Sequence, residues 1–205
     1  LSASDSYQFQ AFYGRAIAPH IGDVAKVRIE QFRHYPYLYD GSLAYEETYL
    51  AGYVNEPRAQ LIVVRHMGSI AAVATAVPLS SSSDIVADAP VLFASAGHNP
   101  TTFYYYAEII VLPEHRGNGL APRIYAMRAA AARDFGYRHL CLAVVDRPSD
   151  HPLRPSGYVG PERVWIKDGF QKTDIRFTYD WPTIQADGKT IDQANAMVFW
   201  IRSLQ

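Results

Sequence analysis

Residues 103–121 constrain this chain more than any other stretch. The run 103–112 is aromatic and β-branched and carries one charged residue, Glu108, which is the composition of a central strand buried on both faces. Pro113 ends the strand, Arg116-Gly117-Asn118-Gly119-Leu120-Ala121 turns, and a helix follows, with Pro122 predicted at its first position, where a missing N–H costs nothing. Ile124, Met127, Ala131 and Phe135 give that helix a buried face, and Gly136 follows at the place of a left-handed cap. Strand, glycine turn and helix in this order make an anion site. Glycines let the backbone approach a ligand, and the first-turn N–H groups have no intrahelical partners. The helix dipole adds about half a positive charge there. A pyrophosphate is the natural guest.

Around this unit the chain reads as mixed α/β. Residues 21–34 place Ile21, Val24, Ala25, Ile29 and Phe32 on one helical face, and Pro36 stops the helix. Asp40-Gly41-Ser42 predicts a turn, with Ser42 as N-cap of a second helix running to about Tyr53. The apolar runs 61–65 and 70–77, separated by Met67-Gly68-Ser69, predict a hairpin. Residues 78–100, rich in serine and proline, suit a surface excursion. A buried strand is expected over 139–145, a Pro-rich loop over 146–161, a short helix over 162–168, and closing strands near 172–181 and 196–202. This order predicts a single domain over 1–205, with 1–14 a flexible or peripheral segment.

Composition narrows the function classes. With 49% hydrophobic and 19% charged residues among 205, the chain has enough apolar material for one core. Nineteen basic residues against twenty acidic, with no Lys/Arg-rich run, lack the footprint of a nucleic-acid or anionic-membrane binder. No apolar stretch approaches the roughly 20 residues needed to span a bilayer. Leu1-Ser2-Ala3-Ser4-Asp5 does not resemble a signal peptide. The one cysteine, Cys141, excludes an intrachain disulfide and a cysteine-rich zinc site, so no metal and a reducing, cytoplasmic location are expected.

Two known phosphate-binding patterns fail. A dinucleotide-binding fingerprint needs a third glycine where Pro122 stands. A Walker A loop ending at Gly188-Lys189-Thr190 needs glycine at Thr183. What remains resembles the GNAT acetyltransferase pattern [Gln/Arg]-x-x-Gly-x-[Gly/Ala], at residues 116–121. Its lead-in Val111-Leu112-Pro113-Glu114-His115 and the later Lys167-Asp168-Gly169-Phe170 are similar to that family's motifs as well. The resemblance covers roughly residues 15–205. It implies an α/β (α+β) fold: a mixed, mostly antiparallel central sheet, flanked by helices, with a V-shaped splay between the fourth and fifth strands.

The resemblance also implies an activity: acetyl transfer from acetyl-CoA to an amine by direct attack, with no covalent enzyme intermediate and no metal. Backbone groups of Ile110, Val111 and Leu112 would pair with the pantetheine arm. The Val111 N–H would stabilise the oxyanion, and Arg116, Gly117, Asn118, Gly119, Leu120 and Ala121 would hold the pyrophosphate. Two departures stand out. Pro122 lacks a donor N–H that some relatives use, and Trp165 occupies the position where many relatives carry a tyrosine as acid to the leaving thiolate. Tyr158, in the preceding loop, is the substitute acid. Glu108 is the candidate base, because burial favours the proton-bound form of a carboxyl; its structural alternative is pairing with an arginine.

The acceptor pocket is expected to draw on Tyr35, Tyr37 and Tyr39, on His151 and Arg154 of the Pro-rich loop, and on Trp165. Tyr45, Tyr49 and Tyr53 recur along one helix face and suit packing in a core or a homodimer, or an aromatic acceptor wall. The acceptor itself is not named by the sequence. Rival readings are a non-catalytic acyl-CoA sensor, a transferase of another acyl group or to an oxygen acceptor, and a cysteine hydrolase built on Cys141 and His151.

Overall fold

The computed structural model describes residues 7–81 and 87–204. Residues 1–5, read above against a signal peptide, and Ser82 and Ser83 of the serine run lie outside the described residues. Among the described residues, seven strands form one sheet in the order β1-β2-β3-β4-β5-β7-β6. They are β1 (Tyr7–Tyr13), β2 (Gln60–His66), β3 (Ser69–Pro78), β4 (Phe103–Val111), β5 (His139–Val145), β6 (Gln171–Ile184) and β7 (Thr190–Ser203). Every neighbouring pair is antiparallel except β4 and β5. Helices α1 (Ile21–Phe32), α2 (Leu43–Val54) and α3 (Ala89–Ser95) pack on one face, and α4 (Leu120–Asp134) and α5 (Glu162–Lys167) on the other.

Local chemistry explains the main boundaries. Ser42 caps α2 by accepting from the Tyr45 N–H at 3.3 Å. Met67 and Gly68, both at positive φ, turn β2 into β3. Gly136 at φ 81° closes α4 through N–H bonds of Gly136 to Arg133 and of Tyr137 to Ala132.

Four expectations are corrected. Residues 7–13 are the edge strand β1, paired with β2 along its length, because Tyr7, Phe9 and Ala11 alternate with Gln8 and Gln10. The segment 78–100 is no mere surface excursion. It holds α3, whose Phe93 is fully buried against Phe103 and Phe199. The two closing strands are longer than expected, with β6 at 171–184 and β7 at 190–203. Finally, α4 starts at Leu120, so Pro122 is its third residue. The left-handed Gly119 caps the helix earlier, and Pro122 still falls among the N–H groups that lack a helical partner.

Candidate active site between the parted strands

The site exists because β4 and β5 separate. They pair only over 103–106 and 139–142; beyond that β4 continues beside β3 to Val111, and β5 beside β7 to Val145. A bulge marks the point of departure. Thr75 pairs with Glu108 and Ala76 with Tyr106, leaving Ala107 as an extra residue. A bulge bends its strand and strengthens the twist. It also resets the alternation of side chains, so that Glu108 and Ile110 join Tyr105 on the α1–α2 face.

Arg128 of α4 holds this bulge. The side chain is 1% exposed, and its Nη1 donates to the carbonyl oxygens of Thr75 (3.2 Å) and Glu108 (3.0 Å). Its guanidinium lies 3.9 Å from the Tyr106 ring centroid and 5.1 Å from that of Tyr125. Burial pulls the Arg128 pKa down, against the tyrosines around it.

Past the bulge lies a cleft of about 560 Å³ whose lining includes Ile110, Val111, Arg116, Gly117, Gly119 and Leu120. Ala121 lines it too, with Tyr125 one turn further along α4 and Tyr158 from the loop before α5. Leu112 N–H bonds Ala71 on β3, so by alternation the Val111 N–H faces the open side. Gly117 (φ 80°) and Gly119 (φ 73°) are both left-handed, and a Cβ on either would meet nothing within 4 Å. The turn thus demands glycine conformationally and leaves the space in front of it open. Two side chains of the turn brace it: Arg116 Nε donates to Val111 O at 3.1 Å, and Asn118 Nδ2 to His115 O at 3.1 Å.

A cavity of about 220 Å³ continues from this cleft into the splay. Tyr125 and Tyr158 line both spaces. Trp165 is 6% exposed, and its indole favours the charged form of the Tyr125 phenol. Burial raises the pKa of Tyr125, and it also raises that of Tyr158, which Glu162 and Tyr35 push further. Both phenols therefore keep their protons at neutral pH.

Glu108 points to the other side. Its Oε2 is 2.7 Å from Arg28 Nη1, the arginine pairing named above as its structural alternative, and Arg28 Nε also bonds Glu46 Oε2 on α2. The Arg28 pKa sits well above its ordinary value: burial opposes the charge, but Glu108 and Glu46 outweigh it. The second oxygens, Glu46 Oε1 and Glu108 Oε1, have no hydrogen-bond partner. Glu46 and Glu108 are among the residues around a third cavity of about 80 Å³, walled by Tyr37, Tyr39, Tyr45, Tyr105, Tyr179 and Trp181. Burial and then Glu108 push the Tyr37 phenol up to about 12.

The structure brings together most of the residues singled out from sequence. Tyr35, Arg154 and Trp165 line the splay cavity, Tyr39 the third cavity, and Tyr37 all three spaces. His151 lines none of them; it stands against the Tyr35 ring, and its Nδ1 accepts from the Leu153 N–H. Tyr49 and Tyr53 are buried and bonded to each other, whereas the Tyr45 hydroxyl bonds that of Tyr179 at 2.7 Å. Cys141 is fully buried, and burial pushes its thiol up, so it offers no reactive thiolate for a hydrolase. Arg28, Glu46, Tyr125 and Arg128 were missed. The signal for the three charged ones was available, since each shares a helical stripe with buried apolar neighbours.

Among the described residues no helix is long and apolar enough to cross a membrane, and no group of three or more His, Cys, Asp or Glu could hold a metal ion. The chain is similar to a GNAT family acetyltransferase from Elizabethkingia anophelis with acetyl-CoA bound: 14% identity, TM-score 0.55, covering 98% of this chain and 99% of that one. It is also similar to an N-acetyltransferase from Staphylococcus aureus Mu50 (14%, TM-score 0.56, 97% and 99%). A third is the IAA acetyltransferase from Bacillus cereus ATCC 14579 (12%, TM-score 0.55, 97% and 100%). At these identities the likeness shows a shared fold. A search of curated proteins finds no match. Residues 25–154 match the Acetyltransferase (GNAT) family, well over half of the chain, and with the parted strands and glycine turn described above they establish that this chain belongs to it.

Proposed function

We propose that this chain is a single-domain, cytoplasmic N-acetyltransferase that moves an acetyl group from acetyl-CoA to the amine of a small molecule or peptide by direct attack. The observation that carries the reading is the continuity of the glycine-turn cleft with the splay, which gives one path from a phosphate-sized cradle to Glu108. The left-handed turn with open space before Gly117 and Gly119 fits a pyrophosphate. Acetyl-CoA supplies an acetyl group already activated as a thioester.

The chain's own residues do the rest. Residues 116–121 hold the phosphates through backbone N–H groups. The Val111 N–H stabilises negative charge developing on the carbonyl oxygen. Glu108 Oε1 accepts the acceptor's proton, directly or through a water, so that the nitrogen lone pair can form the C–N bond while the C–S bond breaks. A phenol then protonates the departing thiolate, and the second proton that the nitrogen sheds as the amide forms returns to the phenolate through water. Tyr158 is the candidate from sequence, but the Trp165 indole favours Tyr125, because it stabilises the phenolate left behind.

The test follows free thiol with a panel of amines. Turnover supports transfer, and cofactor binding with no thiol released by any amine would leave the sensor reading. A parallel panel of acyl-CoA donors decides whether acetyl is the preferred group. Binding is tested separately. At 100 times its dissociation constant acetyl-CoA adds about 2.7 kcal/mol of stability, a melting shift of several degrees, and adenosine alone does far less. No shift at millimolar acetyl-CoA would remove the reading.

A further inference from the structure

The third cavity carries more information about the acceptor than the reaction type does. Two carboxylates, Glu46 (0% exposed) and Glu108 (7%), face one guanidinium, Arg28. With all three ionised the cluster carries one net negative charge inside the protein. Arg28 engages Oε2 of each carboxylate and leaves Oε1 of each without a partner. Buried charge and buried lone pairs without partners are unfavourable, so the site is completed by something that brings one positive charge and several N–H donors. An ammonium group has both. The surrounding walls agree, since Tyr37, Tyr39, Tyr105 and Trp181 present the aromatic surface that favours an organic cation.

We infer that the acceptor is a small, singly charged amine without a carboxylate, its ammonium bound between Glu46 Oε1 and Glu108 Oε1 and its short apolar remainder against the tyrosines and Trp181. The inference rests on the transfer reading above and narrows it. Size follows from the cavity: about 80 Å³ is well below the roughly 150 Å³ of an engineered cavity that holds benzene, so a bulkier tail must extend into the adjoining splay. Exclusion of acids follows from charge. Arg28 is already committed to two carboxylates through Nε and Nη1, and its guanidinium lies 5.0 Å from the Phe32 ring and 4.5 Å from the Tyr49 ring. The other arginines near the splay are engaged too. Arg147 donates to the carbonyls of Pro36 and Tyr37, and Arg154 to the Tyr35 hydroxyl and the Tyr158 carbonyl.

The experiment uses matched pairs that differ by one carboxylate: isobutylamine against valine, and phenethylamine against phenylalanine. With the unmodified protein and acetyl-CoA, kcat/KM should favour each amine over its amino acid by at least about tenfold, since like charges brought together at a binding site are strongly disfavoured. Isobutylamine should also raise the melting temperature without any cofactor, and Glu46→Gln should abolish that shift while leaving the shift caused by acetyl-CoA unchanged. The matched pairs need no variant, so the inference stays testable if Glu46→Gln does not fold. Valine or phenylalanine equal to or better than its amine would overturn it, and so would a folded Glu46→Gln protein that binds isobutylamine like the parent. Amine binding with no turnover would instead overturn the transfer reading and leave standing only an amine-binding site at these carboxylates.

Discussion

Arg28 Nη1 stands 2.7 Å from Glu108 Oε2, with both side chains more than nine-tenths buried. The Glu108 carboxylate is therefore tied to α1 through one oxygen and left without a partner at the other. Any change at Glu108 acts on two things at once, an ion pair and a proton acceptor.

Glu108→Gln separates them. The amide keeps the shape and can still accept a hydrogen bond from Arg28, but it cannot take a proton. The rate should fall roughly 10²–10⁴-fold with acetyl-CoA binding nearly unchanged, and the loss should shrink at high pH, where the acceptor amine is already deprotonated. Loss of the ion pair should also lower the melting temperature. A Gln variant with a lowered melting temperature but a parental pH–rate curve would make Glu108 structural only.

Gly119→Glu addresses the glycine turn proposed to hold the pyrophosphate. Gly119 is left-handed at φ 73° and faces open space. A glutamate there adds backbone strain of about 1–2 kcal/mol and puts a negative side chain where phosphates are expected. Acetyl-CoA affinity, measured by calorimetry, should drop by an order of magnitude or more while the fold survives. Unchanged affinity in a folded variant would move the phosphate site elsewhere.

Tyr125→Phe and Tyr158→Phe divide the acid role. Tyr125 has its phenolate favoured by the Trp165 indole and lies at the junction of cleft and splay. If it is the acid, Tyr125→Phe should lower kcat by about 10²-fold or more and flatten the alkaline limb of the pH profile, while Tyr158→Phe acts mainly on KM. The reverse pattern would assign the proton to Tyr158.

Arg128→Met should act through the bulge. The substitution leaves the carbonyls of Thr75 and Glu108 without their side-chain donor. An unsatisfied buried group costs about 1–3 kcal/mol, so denaturant unfolding should show a clear loss of stability. A stability equal to the parent's would mean that the bulge holds without Arg128.

Much of this was legible along the chain because it depends on short-range chemistry. Glycine at positive φ, proline at a boundary, a strand with a single charge and apolar residues at helical spacing each act within a few residues. They determined the elements, the glycine turn and the position of Glu108 in the central strand. The sequence also held an unread signal. Glu46 sits at offsets of 3, 4 and 7 from Tyr49, Leu50 and Tyr53, on the stripe that α2 buries. Arg28 shares the buried stripe of α1 with Val24 and Ala25, and Arg128 that of α4 with Ile124 and Tyr125.

Which partners those buried charges meet was decided only by tertiary structure. Arg28, Glu46 and Glu108 come from α1, α2 and β4, and no local rule brings three such elements together. The extra residue at Ala107 likewise needs β3 as its reference, because a bulge is defined by two strands paired out of step. The same bulge sets which face Glu108 occupies, and so whether it reaches Arg28. A single strand read by alternation would place it on the opposite face from Tyr105.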